Sequence, residues 1–224
     1  MKKIKSLVVA SALVFSGVSV AEMCDVTPFV GLGYQYGSMK AKNDWAKVAN
    51  KKQDGALAFV GAKFHENFGA ELGWEQSSSK NRQTTAVGTF DGVATNNGTQ
   101  KVKTKVSGGY VDLQGYLPVV DNFEVLGSLG MGSVVAKINS TVDVLSSVAH
   151  KNKLNQKSKR SLVGRVGVGA KYMFTDMFGV RVMAKWENTS RIKLKNKDTV
   201  ITDSKLLKPF KDNVSANVAA LVQF

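Results

Sequence analysis

The sequence predicts an all-β fold, a transmembrane antiparallel up-and-down β-barrel of eight strands. In eight stretches, apolar residues alternate with glycine or polar residues, which is the period of a β-strand. The connections between these stretches are alternately short and long, which places the short turns together at one end of a barrel. Closure of such a sheet leaves no unpaired edge in lipid.

The first 21 residues predict a signal peptide. Lys2, Lys3 and Lys5 precede an apolar stretch over residues 6–20, and Ala21 ends a small-x-small cleavage pattern. The apolar stretch is too short for a comfortable membrane-spanning helix. We therefore expect a signal peptide at 1–21 and one outer-membrane barrel domain at 22–224.

Each predicted strand has one apolar face. In the clearest one, Phe68, Leu72 and Trp74 alternate with Gly69 and Glu71. The lengths suit a tilted crossing of a bilayer, which needs about 9–11 residues. The eight predicted strands are 29–39, 56–64, 68–75, 106–117, 123–134, 162–172, 178–187 and 214–224.

The second face of these strands carries glycine and isolated charges of both signs, which suits a narrow interior. Aromatic residues on the apolar face lie near strand ends, as in an interfacial girdle. Eight strands leave a lumen just wide enough for side chains, so the inward charges should form ion pairs that fill it; a narrow path for water or ions is the alternative. The nine predicted lumenal charges are Lys63, Glu71, Asp112, Glu124, Arg165, Lys171, Arg181, Lys185 and Glu187.

The connections define the two ends of the barrel. Short turns at 65–67, 118–122 and 175–177 are expected on the periplasmic side, and long loops at 40–54, 77–105, 136–160 and 188–213 outside the cell. Within the third loop, Lys137 to Val148 alternates in pattern and could extend strands beyond the membrane or add a pair.

The long loops hold 23 of the 31 basic residues and only 7 of the 17 acidic ones. This positive field permits adhesion to polyanions such as heparan sulfate or acidic patches on host matrix proteins, or the neutralisation of lipopolysaccharide phosphates. Nucleic-acid binding is not expected, because the barrel offers no helix or aromatic stacking platform. The densest basic clusters are Lys151, Lys153, Lys157, Lys159, Arg160, Arg191, Lys193, Lys195 and Lys197.

Catalysis, metals and cofactors are not expected. One cysteine excludes a disulfide framework, and two histidines disfavour a multi-histidine metal site. His65 falls in a short turn and His150 in a basic loop, with no Ser or Asp at a matching height. The acidic loop residues do not cluster, so the sequence predicts a protein that is not an enzyme.

The signal peptide, the strand from Phe68 to Trp74, the Gly-Val-Gly-Ala-Lys-Tyr run ending at Tyr172 and the terminal Phe224 resemble the eight-stranded outer-membrane barrels of the OmpA/OmpX/opacity-protein superfamily. The resemblance implies an outer-membrane location, with Phe224 as the assembly signal for the barrel-insertion machinery. This superfamily includes rickettsial-type surface adhesins. We therefore expect an adhesin or surface antigen whose cationic loops bind polyanionic host or envelope components. A barrel that braces the lipopolysaccharide layer, or a narrow pore, is the alternative.

Overall fold

The protein is described from a computed structural model. It describes residues 26–41, 52–79, 82–90, 93–144, 151–158, 160–190, 192, 194–195 and 210–224. The predicted signal peptide lies outside these ranges and remains a prediction. Within them, no helix has the length and apolar character needed to span a membrane.

Eleven strands are present in the described residues. Their lengths vary from two residues in β10 to 28 residues in β5. The strands are β1 Thr27–Ala41, β2 Lys52–His65, β3 Phe68–Ser79, β4 Arg82–Phe90, β5 Val93–Val120, β6 Phe123–Val144, β7 Lys151–Ser158, β8 Ser161–Met173, β9 Phe178–Glu187, β10 Leu194–Lys195 and β11 Phe210–Gln223.

Eight of these strands form a closed antiparallel barrel, as predicted. Its order is β1-β2-β3-β5-β6-β8-β9-β11, and the first and last strands pair from Phe29↔Gln223 to Ala41↔Phe210. The turns at 66–67, 121–122 and 174–177 lie together, and we call this side the turn end. The opposite side is the extension end.

Beyond the barrel, β4, β7 and β10 join long continuations of β5 and β6, and we call this sheet the extension. Strand β4 pairs with β5, while β7 pairs with β6 and β10 with β7. The β5–β6 ladder runs from Val120↔Phe123 at the turn end to Gly98↔Val144. Since a strand rises about 3.4 Å per residue, the 13 residues of β5 before Val106 add roughly 44 Å.

The prediction of long loops at 77–105 and 136–160 is wrong, because much of both segments forms the strands of the extension. Strand β5 begins at Val93 rather than at 106, and β6 continues to Val144 rather than ending at 134. Residues 93–105 of β5 are polar on both faces, so the sequence pattern favoured a loop there. A strand with two polar faces is stable outside a membrane once it has hydrogen-bonding neighbours. The expectation that Lys137 to Val148 extends a strand is correct as far as Val144, and residues 145–148 lie outside the described residues.

Two serine hydroxyls complete the backbone pairing where the barrel passes into the extension. Strand β5 changes partner from β3 to β4, and the Thr104 amide donates to Ser79 Oγ at 2.9 Å. Strand β6 changes partner from β8 to β7, and the Ala136 amide donates to Ser158 Oγ at 2.8 Å. All four residues are buried, so each hydroxyl replaces a ladder bond that would otherwise be missing.

Apolar side chains cover the outside of the barrel and charged side chains lie in its interior, which is the reverse of a water-soluble β-protein. Large apolar residues such as Leu32, Leu113 and Leu129 are more than 60% exposed on the outer wall. Charged residues such as Glu71 and Arg181 are 2% exposed inside. The six aromatics expected in the girdle all lie outside, at 41–52% exposure. They are Tyr34, Tyr36, Trp74, Tyr172, Trp186 and Phe224.

We predict that Ser79→Ala and Ser158→Ala destabilise the extension and leave the barrel intact. Each change leaves a buried amide without an acceptor, which costs about 1–3 kcal/mol. Hydrogen exchange of the refolded protein should be faster by tenfold or more at Thr104 and Ala136 respectively, and unchanged at Leu72. Ser133→Ala is the control, since the Ser133 hydroxyl supports no such amide. Unchanged exchange in the two variants would contradict this assignment.

Candidate functional site

Within the described residues, the lumen contains five cations and five carboxylates, arranged in three layers along the barrel axis. Nearest the turn end, Glu124 pairs with Lys63 at 2.5 Å and with Lys171 at 2.7 Å. Lys171 also donates to Gln223 Oε1 at 3.2 Å. One carboxylate therefore bridges two cations contributed by β2 and β8.

The middle layer is built around Glu71 of β3. Both of its oxygens accept hydrogen bonds from the guanidinium of Arg181, which lies on β9 across the lumen. Tyr110 Oη and Gln114 Nε2 of β5 each donate to Glu71 at 2.7 Å. The Glu71 carboxylate is thus fully hydrogen-bonded although it is 2% exposed, as a buried charge requires.

The third layer gathers three carboxylates around Arg165 of β8. Its guanidinium lies 3.3 Å from Glu75, 3.3 Å from Asp112 and 3.4 Å from Glu187. The second oxygen of Glu187 accepts from Asn213 Nδ2 at 2.9 Å. These carboxylates come from β3, β5 and β9, so one arginine joins four strands.

Aromatic rings lie beneath all five lumenal cations. Arg165 lies 3.8 Å from the Tyr110 ring centroid, Arg181 lies 3.8 Å from that of Phe59, and Lys185 lies 4.6 Å from that of Tyr110. Lys63 and Lys171 lie over Tyr116, at 4.9 and 5.5 Å. Cation–π contacts of this kind gain strength when the cation is desolvated.

Glycine makes room for these rings. Tyr110 pairs across the ladder with Gly73, and a Cβ added at Gly73 would overlap the tyrosine ring. Phe59 has the same relation to Gly31 on β1. A narrow barrel can hold both aromatics and charges only where a neighbouring position lacks a side chain.

An apolar cluster lies over the ionic layers at the extension end. Ile192, which follows β9, is fully buried in it, and Phe210 at the start of β11 is 2% exposed. The buried members of the cluster are Met39, Val134, Ala136, Val163, Ile192 and Phe210. Within the described residues, this cluster fills part of the interior at that end of the barrel, and buried Gln53 lies against its member Met39.

Four lysines lie in one cross-strand row where the extension begins. Lys105 of β5 pairs with Lys137 of β6, Lys137 with Lys157 of β7, and Lys157 with Lys195 of β10. We call this set the lysine row. Strands in a sheet lie about 4.8 Å apart, so the four backbone positions span roughly 14 Å. Like charges placed directly opposite destabilise a sheet, and this row contains no acidic residue.

The predicted basic clusters are only partly described. Lys151, Lys153 and Lys157 take strand positions in β7, Lys195 lies in β10, and Arg160 is exposed just before β8. The other four residues of the predicted clusters lie outside the described residues: Lys159, Arg191, Lys193 and Lys197.

All nine predicted lumenal charges point inward, and eight of them join ion pairs. Lys185 is the exception, since it pairs with no carboxylate within the described part of the chain. Sequence reasoning omitted Glu75, which lies on the same strand face as Glu71, and the supporting ring of Tyr110. It also omitted Lys105 and Lys137 from the basic clusters. Alternation could have found Glu75 and Tyr110, which lie four residues from Glu71 and two from Asp112. The grouping of Lys105 with Lys137 depends on the register between strands, which alternation does not give.

The family described as the outer membrane protein beta-barrel domain matches residues 10–217. The chain belongs to this family. An outer-membrane barrel is located in the outer membrane, so the exposed apolar wall faces lipid and the aromatic girdle lies at its borders. Phe224, half exposed, donates its amide to the carbonyl of Pro28 at 2.9 Å and so joins the two ends of the barrel wall.

Solved outer-membrane barrels are similar in fold. A major outer membrane protein from Thermus thermophilus aligns with a TM-score of 0.52 at 12% identity, over 89% of this chain and 99% of that one. Ail, the attachment invasion locus protein of Yersinia pestis, in complex with the heparin analogue sucrose octasulfate, aligns at 0.48 and 12%, over 89% and 99%. OprG from Pseudomonas aeruginosa aligns at 0.47 and 16%, over 88% and 95%. No curated protein matches the sequence.

We predict that Arg165→Met destabilises the barrel by about 3–5 kcal/mol, because it leaves three carboxylates in the lumen without their shared cation. Urea unfolding of the refolded protein in lipid vesicles measures this change. Lys185→Met is the matched control: it removes a buried cation that pairs with no described carboxylate, so the stability should stay within about 1 kcal/mol of the wild type. Equal losses in the two variants would contradict the central role of Arg165.

Proposed function

We propose that this outer-membrane barrel is a surface adhesin or surface antigen whose cationic extension binds polyanions outside the cell. The lysine row carries the proposal. Its four lysines take aligned backbone positions on four adjacent strands, so basic residues recur at the spacing of the strands. Among the described residues, no carboxylate lies directly opposite any of these lysines, and Asp54 enters the same row only beyond Ser78 of β3. A bound polyanion would therefore relieve the repulsion between the lysines.

Charge also supports an outward orientation of the extension. Its rows hold further lysines: Lys103 pairs with Asn139, and Thr141 lies between Lys101 and Lys153. The turns at the opposite end carry Glu66, Asp121 and Asp176 and no lysine or arginine. The outer leaflet bears lipopolysaccharide phosphates, so a basic rim on that side is electrostatically favourable.

The lumen favours a structural role over transport. Ion pairs and aromatic rings occupy the described interior, and the cavity between Tyr116, Lys171 and Arg181 has a volume of only about 10 Å³, about one water. The apolar cluster around Ile192 lies above it. We therefore propose neither conduction nor a catalytic step for this chain. Phe224 is proposed as the assembly signal for the barrel-insertion machinery.

The expected ligand class is a flexible sulfated or phosphorylated polymer, such as heparan sulfate on a host surface. A barrel that only braces lipopolysaccharide would use the same cations on membrane-bound phosphates. The two roles differ in whether a soluble polyanion binds with useful affinity, so heparin is the probe that separates them.

We predict that changing Lys105, Lys137, Lys157 and Lys195 together to Gln weakens heparin binding by roughly thirtyfold. This follows from about 0.5 kcal/mol for each exposed charge contact. Binding of the refolded protein to immobilised heparin is measured across a salt series. The wild-type affinity should fall as salt rises, and the variant should show a weaker dependence.

The matched control changes Lys40, Lys42, Lys208 and Lys211 to Gln. Lys40 and Lys211 belong to β1 and β11, which lie across the barrel from β5 and β6, and Lys42 and Lys208 are close to them in sequence but outside the described residues. This control should retain most of the heparin affinity. Equal losses in both variants would show that net charge alone attracts heparin, and no binding by the wild type would exclude the adhesin proposal in favour of a bracing barrel.

A further inference from the structure

A cleft of about 390 Å³ lies on the lipid-facing wall near the extension end. Strands β6, β8 and β9 form it. Its apolar rim is made by Met131, Leu162 and Trp186, which are 41–59% exposed. The remaining lining residues are Gly130, Val163, Gly164 and Asn188.

The cleft exists because Gly164 occupies an outward position that its neighbours fill with large side chains. On β8 it lies between Leu162 and Val166, and across the ladder it pairs with Met131 of β6. Its carbonyl accepts the Asn188 amide at 3.0 Å, which holds the end of β9 beside it. A Cβ added at Gly164 would meet no atom within 4 Å, so the missing side chain leaves open space.

Cations lie above the mouth of this cleft. Arg160 is exposed two residues beyond Leu162, a rise of roughly 7 Å along the chain, and Lys137 is exposed six residues beyond Met131. An apolar cleft with basic side chains near its mouth is complementary to an anionic lipid. The lipid's acyl chain would lie in the cleft and its phosphate beside the cations.

The volume also suits one chain. The cleft is about forty times larger than the one-water cavity in the lumen, so it has room for an extended hydrocarbon chain. Trp186 at the rim places the upper end of the cleft at the aromatic border of the membrane, where lipid phosphates begin.

We infer that this cleft is a specific binding site for lipopolysaccharide, which takes one acyl chain of lipid A against Gly164 and a lipid A phosphate at Arg160. The inference rests on the outward orientation of the extension in the proposed function, because that places the cleft in the outer leaflet. It does not involve the lysine row or any soluble polyanion. The site would tie the barrel to the outer leaflet at one defined place on its wall.

The test is a titration of the refolded protein in detergent with lipid A, with the bound lipid counted by native mass spectrometry. The wild type should bind one lipid A. Gly164→Leu should lower the affinity by roughly tenfold or more, because its side chain fills the cleft. Gly127→Leu is the matched control and should bind like the wild type, since Gly127 is also exposed, also has open space at its Cβ, and lies outside the cleft.

Arg160→Gln separates the phosphate from the chain: it should weaken binding of lipid A but not of dephosphorylated lipid A. All variants should keep the heat-modifiable gel migration of a folded barrel, and Gly164→Leu should keep wild-type heparin binding, which distinguishes failure of this site from failure of the adhesin proposal. Equal lipid A binding by the wild type and Gly164→Leu overturns the inference. So does equal competition by phosphatidylglycerol, which indicates a general phospholipid site, or a protein dimer that Gly164→Leu abolishes.

Discussion

Backbone pairing between β1 and β11 closes the sheet, and the arrangement of every other part depends on this closure. A closed sheet satisfies its backbone hydrogen bonds in lipid, where water cannot. It also gives each strand one face toward lipid and one toward a narrow lumen. The outer face can then be apolar, as at Leu113 and Leu129, while Glu71 and Arg181 lie inside and must pair with one another.

Arg165 in the lumen is surrounded by carboxylates, whereas lysines of the extension lie opposite other lysines. Inside, Arg165 is joined to three carboxylates, because an unpaired buried charge would be costly. In the extension, Lys105, Lys137 and Lys157 face like charges across the ladder. Water and salt screen exposed charges, so a sheet outside the membrane can place like charges on neighbouring strands.

Strand β6 connects these regions. Near the turn end it contributes Glu124 to the lumen, midway it contributes Met131 to the lipid-facing cleft, and farther along it contributes Lys137 to the lysine row. It changes partner from β8 to β7 at Ala136, where Ser158 supplies the missing acceptor. The change of partner allows the sheet to continue past the barrel while β8 and β9 end, which leaves the cleft beside basic residues.

The alternation of residues by itself determined the barrel class and the inward direction of charges such as Arg165 and Glu187, because a period of two fixes the face of every residue in a strand. It did not determine that Arg181 hydrogen-bonds to Glu71, which is 110 residues away, or that Arg165 forms an ion pair with Glu75. Those contacts depend on the closed register, which brings non-neighbouring strands face to face. The extension was also decided by tertiary structure. Residues 93–105 have no apolar face to mark them as a strand, and only their pairing with β4 and β6 makes them one.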